Sequence, residues 1–158
     1  MQVTLRDVMD DDLPIFYEQQ LDPDANTMAA FTSEDPTDRE AFEAHWEKIR
    51  NDDTIVLKTI LFNDNVAGYV AKFLREDDPE ISYWIGKEYW GKGVATTALT
   101  QFLAVIEERP LYARVAKDNI GSVRVLEKCG FKVCGEDVYF ANARGKEIEE
   151  FVFRLDGE

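Results

Sequence analysis

Residues 89–99 read YWGKGVATTAL: two aromatics, two glycines in three positions, then a run of small and helix-favouring residues. Gly91 and Gly93 lack a Cβ, so the chain there can take positive φ and let another molecule approach its backbone closely. From Ala95 onward, Leu99, Phe102, Leu103 and Ile106 recur at helical spacing, so the loop feeds the first turn of an amphipathic helix. Upstream, EISYWIG (80–86) reads as a strand. A strand, a glycine turn and a helix start together offer unpaired N–H groups and the positive end of a helix dipole, which suits a phosphate or pyrophosphate. A plain tight strand-to-helix connection would have the same glycine spacing. Of two nucleotide motifs, one fails here and the other matches weakly. A P-loop needs Lys after its second glycine, whereas Lys92 lies between the two, and a dinucleotide fingerprint would meet Thr96 at its third glycine.

The chain of 158 residues fits one domain, 1–158, with a single substantial core. With 45% hydrophobic and 12% aromatic residues it is expected to be globular. No apolar run approaches the ~20 residues of a membrane span, and MQVTLRDVMDDD lacks the features of a signal peptide. A cytoplasmic protein with no membrane partner is expected. A net charge of −14 opposes binding to a polyanion and argues against a nucleic-acid module. It could draw in a cationic amine, or serve solubility or high salt. Cys129 and Cys134 are read as packing thiols, and a single histidine, His45, makes no zinc constellation. No metal site is expected.

Residues 2–8 alternate like a strand, and Leu13, Phe16 and Tyr17 mark a helix over 10–20. The stretch 21–36, with two prolines and little period, reads as a long loop. Phe42, Trp46 and Ile49 mark a second helix. TIVLKTILF and VAGYVAKFL flank NDN as a hairpin. After the long helix, LYARVA reads as a strand. Asn119 then opens a short helix with Gly130 at its end, and FKVCGEDVYF and EIEEFVFRL close the chain as a hairpin. The order β-α-α-β-β-β-α-β-α-β-β implies an α+β fold: a mixed, mostly antiparallel sheet of about seven strands flanked by about four helices.

That order, with YWIGKEYWGKGVATTAL in the middle and DNIGSVRVLEKCGF about two dozen residues later, resembles the GNAT superfamily of acyl-CoA-dependent N-acyltransferases. More narrowly it is similar to the branch of the ribosomal-protein N-terminal acetyltransferases. The family loop [QR]-x-x-G-x-[GA] falls on Gly93 and Ala95, with Trp90 at the Gln/Arg position. The resemblance implies a sheet splayed between the strands ending near Ile85 and Val115. It implies acetyl-CoA as co-substrate, its pyrophosphate on backbone N–H groups of Gly91, Lys92, Gly93, Val94, Ala95 and Thr96. The pantetheine arm would lie along the backbone of Tyr83, Trp84 and Ile85, with Asn119 as a further contact or as a helix cap.

Acetyl transfer to an amine needs a base, and by resemblance Glu80 is the candidate, through a water; it also ends the acidic run EDDPE. Many relatives carry a Tyr at the position of Leu126 that protonates the leaving thiolate. Ser122, one turn earlier, is the substitute, unless it only bonds its own backbone. No cysteine stands where a covalent nucleophile would, so direct attack is implied. The acceptor, an amine or a peptide N-terminus, is expected between the 21–36 loop, the second helix and the closing hairpin, walled by Phe31, Trp46 and Tyr139. A homodimer is allowed. The rival reading is a non-catalytic acyl-CoA-binding regulatory module.

Overall fold

The computed structural model describes residues 2–30, 32 and 35–157. Strand β1 (Val3–Arg6) is followed by a 3₁₀ turn at Asp10–Asp12, then α1 (Leu13–Gln20), α2 (Pro23–Ala29) and α3 (Arg39–Arg50). Three strands come next, β2 (Val56–Phe62), β3 (Asn65–Arg75) and β4 (Asp78–Ile85), leading into α4 (Val94–Val105). The chain ends with β5 (Leu111–Ala116), α5 (Ile120–Lys128), β6 (Lys132–Ala141) and β7 (Lys146–Leu155).

The seven strands form one sheet in the order β1-β2-β3-β4-β5-β7-β6. All neighbours are antiparallel except β4 and β5. The β3–β4 ladder runs unbroken from Gly68↔Ile85 to Arg75↔Asp78, whereas β4 meets β5 at one bridge, Glu80↔Tyr112. Beyond it the two strands part as far as Ile85 and Ala116. The opening leaves N–H and C=O groups of two facing strand edges without ladder partners, and such groups seek a partner in whatever enters.

Period-two alternation divides the sheet into two faces. On one, Val94, Ala98, Leu99 and Phe102, a stripe at helical spacing on α4, pack against Ile60, Val70, Ile81, Leu111 and Phe153. On the other, Phe16 of α1 and Trp46 of α3 close on Tyr69 of β3, with ring centroids 5.1 and 4.8 Å away. The sheet therefore lies between two helical layers. A buried polar group ties the N-terminal segment to it. Asp12 accepts two hydrogen bonds from Arg6 at 2.7 and 2.8 Å, one from the Met9 N–H at 2.9 Å and one from Thr59 Oγ1 at 2.7 Å.

The seven strands agree with the sequence pattern and the splay with the family resemblance, and NDN makes the expected hairpin, with Asn63 and Asp64 both at positive φ. Three expectations change. The 21–36 segment holds a helix, α2, making five among the described residues: Asp22 accepts from the Ala25 N–H at 2.9 Å and Pro23 occupies the first turn. Seven residues without an apolar period hid it. The first strand spans Val3–Arg6 rather than 2–8. Cys134 is exposed and packs no core, because β6 is an edge strand with most of its residues in solvent, while Cys129 is half-buried. Among the described residues, no helix is long and apolar enough to cross a membrane.

Candidate active site

The turn after β4 is fastened by Trp90, whose indole N–H donates to the Ile85 carbonyl at 2.8 Å. A tryptophan at this position thus closes the strand end on the loop. Gly91 and Gly93 both sit at positive φ, +74° and +76°, and a Cβ built on either would meet no atom within 4 Å. The glycines are therefore required by backbone conformation and leave open space above the loop. Gly93 caps α4 with no side-chain bond, and the first helical hydrogen bond runs from the Thr97 N–H to the Gly93 carbonyl at 3.1 Å. Among the described residues the N–H groups from Gly91 to Thr96 have no backbone acceptor, and those of the first helical turn lie at the positive helix end. Behind them, Cys129 Sγ lies 3.8 Å from the Thr96 carbonyl oxygen and 3.7 Å from Thr100 Oγ1, joining the end of α5 to the start of α4. Burial pushes its thiol up.

The parting of β4 and β5 opens into a cleft of about 840 Å³. Tyr83, Trp84, Asn119 and Ser122 line it, as do Glu80, Trp46 and Tyr139 farther along. Ile85, by contrast, is buried in the α4 core. Phe31 lies outside the described residues. Asn119 serves as a helix cap: its Oδ1 accepts from the Ser122 N–H at 3.3 Å, and its amide donates to the Met28 carbonyl of α2 at 3.3 Å. The newly found helix thus abuts the start of α5. Ser122 does not bond its own backbone; its Oγ lies 2.8 Å from the Tyr83 hydroxyl. Burial raises the Tyr83 phenol to about 12, against the lowering effect of that hydrogen bond.

Toward β7 the cleft carries a group of ion pairs. Arg75 donates from Nε to Glu80 Oε1 at 3.0 Å and from Nη2 to Oε2 at 3.3 Å. Arg114 places Nε 3.3 Å from Glu80 Oε1 and donates from Nη1 to Glu150 Oε1 at 2.9 Å and to Asp137 Oδ2 at 3.1 Å. Its guanidinium also stands over the Tyr139 ring, 5.8 Å from the centroid. Burial works against the Arg114 charge, and Glu150, Asp137 and Glu80 outweigh it and hold the group above its ordinary value. Burial raises the Glu150 carboxyl in spite of Arg114. The side chains of Glu80 and Glu150 are only 6% and 3% exposed.

Trp46 is both core and wall, stacked with Phe16, Phe42 and Tyr69. Burial pushes the Tyr69 phenol up to about 12, while burial and Lys48 lower the His45 imidazole. Both residues line the cleft. Sequence reading did not single out Arg75, Tyr69, Arg114 or Glu150. Alternation carries a signal for the last two: Ala113 and Val115, like Phe151 and Phe153, point to the α4 core, so Arg114 and Glu150 face the opposite side. Among the described residues, no three His, Cys, Asp or Glu side chains group to hold a metal.

A family model described as an acetyltransferase (GNAT) domain matches residues 2–132, and the chain belongs to that family. Over 80 residues it is 28% identical to the uncharacterized N-acetyltransferase p20 of Bacillus licheniformis, a match spanning 48% of this chain and 45% of that protein. The chain thus aligns with less than half the length of that relative. Two solved structures share the fold across nearly the whole chain. One is spermidine N-acetyltransferase from Vibrio cholerae in complex with CoA and spermine, with a TM-score of 0.83 at 22% identity over 98% of this chain and 95% of that one. The other is ribosomal-protein-alanine N-acetyltransferase from Brucella melitensis, with a TM-score of 0.81 at 21% identity over 98% and 99%.

Proposed function

We propose that the protein is a cytoplasmic, one-domain acetyltransferase that moves the acetyl group of acetyl-CoA to a primary amine, either a small amine or a protein N-terminus, by direct attack. The observation that carries this reading is the single bridge between β4 and β5, which opens the sheet toward the free N–H groups of the 91–96 loop.

The loop suits a pyrophosphate for two reasons: among the described residues its N–H groups lack backbone acceptors, and the space above Gly91 and Gly93 is open. The exposed backbone edge at Tyr83, Trp84 and Ile85 suits the amides of a pantetheine arm, which would pair there as a strand would. Asn119, already capping α5, borders the same opening. Bound there, acetyl-CoA would supply an activated acyl group and a thiolate leaving group. Ser122 would face the departing sulfur.

Trp46 and Tyr139 would wall the acceptor, beside the ion-paired carboxylates of Glu80 and Glu150. Glu80 would take the amine proton through a water, since an amine must be neutral to attack. The Vibrio cholerae relative holds spermine and the Brucella relative is named for a ribosomal protein, so both acceptor classes belong in the test.

The test is release of free thiol from acetyl-CoA with a panel of polyamines, amino acids and alanine- or serine-started peptides, alongside calorimetry of coenzyme A binding. Amine-dependent thiol release together with micromolar binding, ~8 kcal/mol, is expected. Binding and thermal stabilisation without thiol release from any amine would identify the regulatory module instead.

A further inference from the structure

The Tyr83 side chain crosses from β4 to the first turn of α5 and meets Ser122 at 2.8 Å, 39 residues away in sequence. This contact bears on how a serine in a helical first turn could serve the leaving group. A serine there ordinarily turns its hydroxyl back onto the chain. Here Asn119 Oδ1 already receives the Ser122 N–H, and among the described residues Tyr83 is the hydrogen-bond partner of Ser122 Oγ. Likewise, among the described residues the Tyr83 hydroxyl has no other partner.

A serine hydroxyl has one proton and two lone pairs, and a phenol is the more acidic of the two groups. The contact allows either hydroxyl to donate; in the arrangement with the more acidic phenol as donor, the serine proton is left free to point elsewhere. Both residues line the cleft, which offers that proton a direction.

We propose that Tyr83 is a positioning residue for acetyl transfer, fixing the Ser122 hydroxyl so that its proton points at the departing sulfur. The inference rests on the acetyl-transfer reading above and on the role given there to Ser122. As the C–S bond breaks, its electron pair settles on sulfur and the Ser122 proton moves onto it. The Tyr83 proton follows to Ser122 Oγ, and solvent restores the phenol. Glu80 returns the proton taken from the amine to solvent, so amine and thioester become amide and thiol with no net proton change.

Wild-type turnover with an amine tests the functional reading by itself; if none is found, that reading fails before this one is reached. The positioning role is then measured with Tyr83→Phe, Ser122→Ala and the double variant. Phenylalanine keeps the ring and removes only the hydroxyl. Expected are a five- to tenfold fall in kcat for Tyr83→Phe, KM for the amine and coenzyme A affinity within threefold of wild type, and less than a twofold further effect in the Ser122→Ala background. With an acetyl thioester of a more acidic aryl thiol, whose sulfur needs less help to leave, the Tyr83→Phe deficit should shrink below twofold. Losses that multiply in the double variant, an equal deficit with both thioesters, an unchanged kcat, or a loss of coenzyme A affinity beyond threefold would each overturn the proposal.

Discussion

Arg114 Nη1 donates to Glu150 Oε1 at 2.9 Å, so β5 and β7 are joined by a part-buried ion pair in addition to their ladder. The Glu150 side chain is 3% exposed, and burial outweighs Arg114 to raise its carboxyl. An acid held above its unfolded value binds its proton more tightly when folded. Its contribution to stability is complete below the ordinary glutamate value, ~4.3, and is lost as pH rises through the folded value. Chemical denaturation of wild type and Glu150→Gln from pH 4 to 7 should show the wild-type stability falling relative to the variant as pH increases. A rising difference would mean that Arg114, not burial, dominates the site.

Asp12 has the opposite sign. Burial would raise its carboxyl, but Arg6, the Met9 N–H and Thr59 together hold it below the usual carboxylate range. Its contribution is complete above the unfolded aspartate value, ~3.9, and fades as pH falls through the folded one. Asp12→Asn should cost about 3 kcal/mol at pH 7, the lower end for breaking a buried ion pair, and the gap to wild type should close between pH 5 and 2. Equal urea midpoints at pH 7 would show that the pair contributes little net stability.

These buried carboxylates also mark what the sequence could and could not convey. YWGKGVATTAL announced the glycine loop and α4 because positive φ and helical spacing are local properties. The parting of β4 from β5 was expected from resemblance alone, since a register between strands thirty residues apart leaves no local trace. Glu150 sits in EIEEFVF among acids that look alike in one dimension, and only the cleft on its side of the sheet distinguishes it from the exposed Glu149. α2 was missed for another reason. Asp22 and Pro23 formed a legible start signal, but a helix of seven residues has too few turns to display a period. The Tyr83–Ser122 contact joins two motifs that were each recognised, and nothing in either specifies the other.

Gly93 separates backbone strain from cofactor approach. It sits at φ +76° with no atom within 4 Å of a built Cβ, and Gly145, in the β6–β7 turn, has φ +66° and the same open surroundings. A side chain at either costs roughly 1–2 kcal/mol of left-handed strain, so the two valine variants should lose comparable thermal stability. Calorimetry should then find coenzyme A affinity reduced more than tenfold in Gly93→Val and unchanged in Gly145→Val. Equal affinities in the two folded variants would remove the 91–96 loop from the cofactor site.

Glu80 and Glu150 compete for one task, because both are buried in the cleft and both meet Arg114. Glu80 is held at both oxygens by Arg75, whose side chain is 47% exposed. It also stands at the one bridge between β4 and β5, beside the opening that leads to the 91–96 loop, whereas Glu150 lies two strands away on β7. A base must reach the amine directly or through one water, and its removal ordinarily costs 100-fold or more. Glu80→Gln should therefore lower turnover about 100-fold, with coenzyme A affinity retained. Glu150→Gln should keep most of its turnover. If turnover survives in Glu80→Gln and collapses in Glu150→Gln, the proton passes to β7, and Glu80 is an anchor for Arg75 and Arg114 at the root of the splay.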